Sequence, residues 1–86
     1  MRWQYTARFK RAFNSLPDAD ALRVEKAITL LASDLRYPGL RVKKVQGTEG
    51  IWEARASLSL RLTFEVHGDL IVLRNVGSHD VVLGNP

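Results

Sequence analysis

The chain predicts an α+β domain with its helices ahead of most of its strands. Three observations carry this. Apolar residues recur at helical spacing through the first third of the chain, alternation of period two runs from Leu60 to Val66, and clusters of turn residues divide the second half into short segments. With 86 residues there is room for one domain, spanning 1–86, and for a modest core.

Arg2 to Thr6 reads as a short strand with Trp3 and Tyr5 on one face. Thr6 is placed to cap the helix that follows. In that helix Phe9, Phe13 and Leu16 share a face with Ala12, while Arg8, Lys10, Arg11 and Asn14 face outward. Pro17 suits the first turn of a second helix, where Asp18 and Asp20 meet the positive end of the helix dipole. That helix should run from about Asp18 to Asp34, with Val24, Ala27, Ile28, Leu31 and Leu35 as its apolar stripe. Tyr37-Pro38-Gly39 stops it.

Strands follow. Leu40 to Gln46 is expected to be extended, and Gly47-Thr48-Glu49-Gly50 to turn. Ile51 to Ala56 is the next strand, and Ser57-Leu58-Ser59 reverses the chain. In Leu60 to Val66, Leu60, Leu62, Phe64 and Val66 point one way, and Arg61, Thr63 and Glu65 the other. His67-Gly68-Asp69 makes a hairpin turn, with His67 solvated. Leu70 to Val76 is nearly all apolar, as a central strand covered on both faces would be. The tail from Gly77 to Pro86 has room for one helical turn. The order is β-α-α-β-β-β-β, with a helical hairpin on one face of a mainly antiparallel sheet and the other face open as a shallow groove. Trp3 and Trp52 are expected to anchor the core.

Composition narrows the function. There is no Cys, so thiolate chemistry and disulfides are excluded. No run is apolar enough for a membrane span, and Met1 to Tyr5 lacks the apolar region of a signal peptide. Thirteen Lys and Arg against nine Asp and Glu give a net charge of +4, which favours anionic partners. Arg36, Arg41, Lys43 and Lys44 fall in a stretch free of acids, suited to an anionic partner such as nucleic acid. A lysine-blunted strand edge would give the same pattern. The two histidines and nearby acids do not have metal-ligand spacing.

Alternation picks out a possible site. Trp52, Ala54 and Ala56 share the core face, so Glu53 and Arg55 point away from the helices, as Arg61 does on the next strand. His79 follows the last strand and can close one end of that surface. Metal-free RNA cleavage by the 2′-OH needs a base, an acid and fixed cations. Glu53 or His79 suits the base, His79 the acid, and Arg55 and Arg61 the phosphate. Plainer roles are open to each. Glu53 and Arg55 can be an exposed cross-strand pattern, Arg61 can pair with Glu53 or Glu65, and His79 beside Asp80 can cap the final turn.

The run from Tyr37 to Arg55, the strand Leu60-Arg61-Leu62-Thr63-Phe64-Glu65 and the ending Asn75-Val76-Gly77-Ser78-His79-Asp80 resemble the RelE/ParE superfamily of bacterial toxins over nearly the whole chain. The resemblance implies a RelE/ParE-like fold and the toxin of a type II toxin–antitoxin pair. RelE-like members cleave mRNA in the ribosomal A site, whereas ParE-like members poison DNA gyrase and have no nuclease centre. Arg61 matches the family arginine that contacts the scissile phosphate. Arg55 matches the basic residue of the preceding strand, and His79 the C-terminal histidine that transfers protons in YoeB-like and YafQ-like members. The chain departs from the pattern at Glu53, where many members have Lys. It also lacks the upstream glutamate and the base-stacking aromatic residue near the C-terminus. The expectation is a cytoplasmic, cofactor-independent, RelE-like endonuclease of mRNA on the ribosome, with a cognate acidic antitoxin as partner. A DNA gyrase inhibitor and an inactive antitoxin-binding module are the alternatives.

Overall fold

The computed structural model describes all 86 residues. The elements are β1 (Arg2–Tyr5), α1 (Ala7–Asn14), α2 (Asp18–Ser33), a 3-10 turn (Pro38–Leu40), β2 (Lys43–Lys44), β3 (Trp52–Arg55), β4 (Leu60–His67), β5 (Leu70–Ser78) and α3 (His79–Gly84). The strands form one sheet ordered β1-β5-β4-β3-β2. All neighbours are antiparallel except β1 and β5, which run parallel. The expected α+β order is present, and the tail supplies a helical turn.

Local chemistry sets the helix ends. The Thr6 hydroxyl accepts from the Phe9 N–H at 3.1 Å and starts α1. Pro17 occupies the capping position of α2, one residue before the first turn that the sequence assigned it. Asp20 in that turn pairs with Arg23 at 3.0 Å. The α2 stripe of Val24, Ala27, Ile28 and Leu31 is buried as its spacing predicts, and Leu35 packs on the same core just beyond the helix.

Strand β4 divides the molecule. Its Leu60, Leu62 and Phe64 join Phe9, Val24, Leu31, Ala54, Ile71 and Leu73 in the core beneath the helical hairpin. Its other face carries Arg61, Thr63 and Glu65. The register Trp52↔Phe64, Glu53↔Thr63, Ala54↔Leu62 and Arg55↔Arg61 sets the faces of β3 as alternation requires.

Several expectations are corrected. The strand foreseen from Leu40 to Gln46 shrinks to Lys43–Lys44. Pro38 begins a turn that buries Leu40, and Arg41 adopts a left-handed conformation (φ 48°) that breaks the extended run. Trp3 and Trp52 are not core anchors, being 43% and 36% exposed. β1 is an edge strand with a single neighbour, which leaves Trp3 without a full shell of contacts. Trp52 instead helps line an apolar cleft of about 570 Å³ between β3–β4 and the segment Leu35–Val42. His67 is the last residue of β4 and hydrogen-bonds Glu65 at 3.0 Å rather than standing free in the turn. The second sheet face is not fully open, because α3 and the tail cross β4 and β5 and bury Thr63, Asn75 and Val82.

Two outcomes follow. Leu62→Ala, at a position with no exposure, should cost about 2–5 kcal/mol of unfolding free energy. Trp3→Ala should cost about 1 kcal/mol or less. Urea unfolding of both variants checks this, and equal losses would contradict the division into core and edge. The second outcome concerns acid. The Glu65 carboxyl is held below its ordinary value by hydrogen bonds from His67 and then Arg74. A lowered carboxylate pKa stabilises the fold above the unfolded value, and that stability is lost as pH falls through the lowered folded value. Glu65→Gln should therefore flatten the acid limb of a thermal-stability profile while leaving its neutral-to-alkaline shape in place.

Candidate functional site

Arg41, Lys43, Glu53, Arg55, Arg61 and His79 line one pocket of about 250 Å³ that contains no hydrophobic side chain. Five separate pieces of backbone supply them. Arg41 follows the 3-10 turn, Lys43 lies on β2, Glu53 and Arg55 on β3, Arg61 on β4, and His79 opens α3. Alternation places the β3 and β4 residues on one face, and α3 brings His79 onto it.

Four permanent cations surround one carboxylate here. Arg55 and Arg61 are direct cross-strand partners, an arrangement of like charges that costs about 0.2–1 kcal/mol where no anion intervenes. Glu53 is buried at 4% exposure and faces Lys43 Nζ at 3.5 Å. Its charge is matched by that ammonium, so the two guanidinium groups are left without an acidic partner.

Arg61 is fixed by the turn it follows. Its Nη1 donates to the carbonyls of Ser57, Leu58 and Leu60 at 2.9, 3.1 and 3.1 Å. A buried guanidinium held along one edge is pre-oriented, and its Nε and Nη2 have no protein acceptor. Gly77 is its β5 partner and places no side chain over it. The Arg55 side chain makes no hydrogen bond and is half-buried. His79 is exposed, with Nδ1 3.3 Å from Asp80 Oδ1, which leaves Nε2 unpartnered. Arg41 holds its place through a left-handed backbone, a conformation costing a non-glycine residue roughly 1–3 kcal/mol.

The arrangement can bind an oxyanion and move a proton beside it. Guanidinium groups match phosphate oxygens in planar pairs, and an imidazole nitrogen can donate or accept a proton. All four residues assigned to chemistry from the sequence, Glu53, Arg55, Arg61 and His79, meet in this pocket. The basic run divides. Arg41 and Lys43 line the pocket, Lys44 lies in an adjoining groove with Gln46 and Leu83, and Arg36 borders the apolar cleft. The grip of Arg61 on its turn was missed in the sequence, although Ser57 three residues before a strand start was a usable sign. Ser57 Oγ accepts from the Leu60 N–H at 3.2 Å and shapes that turn.

No protein-family description matches the sequence, and no curated protein matches it. Solved structures do. A crystal structure of YafQ from E. coli strain BL21(DE3) superposes with a TM-score of 0.81 at 17% identity, covering 95% of this chain and 98% of that one. The RelB–RelE antitoxin–toxin complex from Methanococcus jannaschii gives a TM-score of 0.75 at 21% identity, with coverage of 95% and 98%. The YoeB/ParE toxin from Agrobacterium tumefaciens gives 0.77 at 15% identity, with coverage of 92% and 99%. The class defined by these matches is a small α+β fold. Within that class, this chain has the RelE/ParE-type fold over nearly its whole length, as its motifs anticipated.

The two arginines should separate on mutation. Arg61→Ala removes charged hydrogen bonds from three carbonyls and should cost about 2–3 kcal/mol. Arg55→Ala loses no hydrogen bond and relieves repulsion, so it should change stability by about 0.5 kcal/mol or less, or raise it. Denaturant titration of the two variants reads the difference, and a larger loss at Arg55 would refute the assigned geometry.

Proposed function

We propose that this protein is the toxin of a type II toxin–antitoxin pair and cleaves mRNA on the ribosome in the manner of RelE. The observation that carries the reading is the wholly polar pocket in which Arg55 and Arg61 stand opposite each other beside His79. In this reaction the 2′-oxygen attacks the adjacent phosphorus and the bond to the 5′-oxygen breaks. The products are a 2′,3′-cyclic phosphate and a 5′-hydroxyl. Arg55 and the free edge of Arg61 balance the charge that builds on the phosphoryl oxygens. His79 delivers a proton to the departing 5′-oxygen. Glu53, the one carboxylate of the pocket, is assigned the proton of the 2′-OH, and Lys43 and Arg41 guide the strand. The ribosome holds the message in the attacking geometry, so cleavage of free RNA is slow.

The partner that restrains the toxin is a small acidic antitoxin. Charge supports this, since four cations line the pocket and the whole chain carries +4. The archaeal complex of like fold is itself an antitoxin–toxin pair.

His79→Gln should lower mRNA cleavage by roughly 10²–10⁴-fold while the protein stays folded. The measurement is primer extension on messages from cells expressing each form, with circular dichroism as the folding control. Intact messages together with an induced DNA-damage response would reject the nuclease reading in favour of a gyrase inhibitor. A folded wild type without effect on growth would point to an inactive antitoxin-binding module.

A further inference from the structure

The pairing of β4 with β5 slips between Thr63 and Phe64. Thr63 pairs with Asn75 but Phe64 pairs with Leu73, which leaves Arg74 as the extra residue of a β-bulge. A regular strand would send Arg74 and Asn75 to opposite faces. The bulge sends both to the face that α3 crosses. There they hold consecutive residues of the tail, Arg74 Nε donating to the Pro86 carbonyl at 3.1 Å and Asn75 Nδ2 to the Asn85 carbonyl at 2.9 Å.

The grip has further members. Arg8 Nη2 and the Thr63 hydroxyl also donate to the Pro86 carbonyl, at 2.9 and 3.1 Å. One oxygen thus receives three donors, two from guanidinium groups. The bulge is itself secured. The Arg74 carbonyl accepts from the Thr6 hydroxyl at 3.0 Å and from Arg8 Nε at 3.3 Å, and the Arg74 guanidinium pairs with Glu65. Thr63 and Asn75 are buried under the tail.

A six-residue helix is too short to persist alone, so α3 depends on what fastens it. Val82 fastens its middle, with no exposure. Residues 85 and 86 fasten its end, while its first residue is His79. We infer that the bulge at Arg74, with Arg8 and Thr63, is a latch that holds α3 across the sheet and so positions His79 over the pocket. Arg74 is a positioning residue, since it acts on His79 only through the helix. The inference rests on the proposed role of His79, and its test has readouts that need no RNA.

The test compares wild type, Arg74→Ala and Thr63→Val. Thr63→Val keeps the buried volume and removes one donor, so it remains informative if Arg74→Ala unfolds. Native-state hydrogen exchange should show tail amides, including the Asn85 N–H that bonds the Val82 carbonyl, exchanging at least tenfold faster in Arg74→Ala. Thr63→Val should show a smaller rise, with amides of the β4–β5 core changing much less than the tail in both variants. The His79 ring resonances should move in the same order. RNA cleavage by ribosome-bound Arg74→Ala should fall about tenfold in kcat, with KM within about twofold. Unchanged tail exchange and unmoved His79 resonances would overturn the latch. Faster tail exchange with undiminished kcat would overturn the positioning of His79. Should the wild type cleave no RNA, the nuclease reading fails, and exchange and ring resonances alone decide whether the latch holds α3.

Discussion

Strand β4 sits in the middle of the sheet and has to satisfy two environments at once. Leu60, Leu62 and Phe64 fill the core under the helical hairpin, and Arg61, Thr63 and Glu65 build the opposite face. A shift of one residue would bury Arg61 among leucines and expose Phe64 to the charged pocket. Burying three large apolar side chains opposes that shift by several kcal/mol, at roughly 1.5–3 kcal/mol each. The register of β4 is therefore fixed by the core, and the charged site inherits its geometry from that register.

The charged face costs free energy, and the ways it is offset define what it can bind. Each of the two most buried charges there has an identifiable partner. Glu53 meets Lys43 across β2–β3, and Arg61 meets the carbonyls of Ser57, Leu58 and Leu60. Arg55 has neither. A guanidinium facing another guanidinium without an acid between them leaves a positive potential that protein groups do not cancel. An oxyanion that presents two oxygens to the paired guanidinium groups fits that arrangement. By contrast, the ion pair of Arg2 and Asp69 is solvent-exposed at both ends and adds little beyond closing an edge.

Much was legible from local pattern. The helix stripes, the Thr6 cap, the β3–β4 alternation and the shared face of Glu53, Arg55 and Arg61 all follow from periods of 3.6 and 2, which need only neighbouring residues. The misjudged residues share a different cause. Trp3 and Trp52 are large and apolar, but strand order decided their burial. Leu40 to Gln46 has strand-forming residues, yet the turn begun at Pro38 and the left-handed Arg41 confine pairing to Lys43–Lys44. Arg74 and Asn75 fall in a strand that reads as nearly all apolar. Their use depends on a slip against β4 and on a tail that returns from ten or more residues away.

The sequence by itself determined the α+β class, the element order, the core stripe of each helix and the identity of the cations and imidazole. These depend on side-chain chemistry and on periodicity, which travel with the chain. Tertiary structure alone decided that β1 would be an edge, that Arg61 would be held by the carbonyls before it, and that α3 would lie across the sheet with His79 at its start. Those outcomes rest on contacts between residues far apart in the chain, which form only when the core, by fixing the register of β4, brings both partners to the same place.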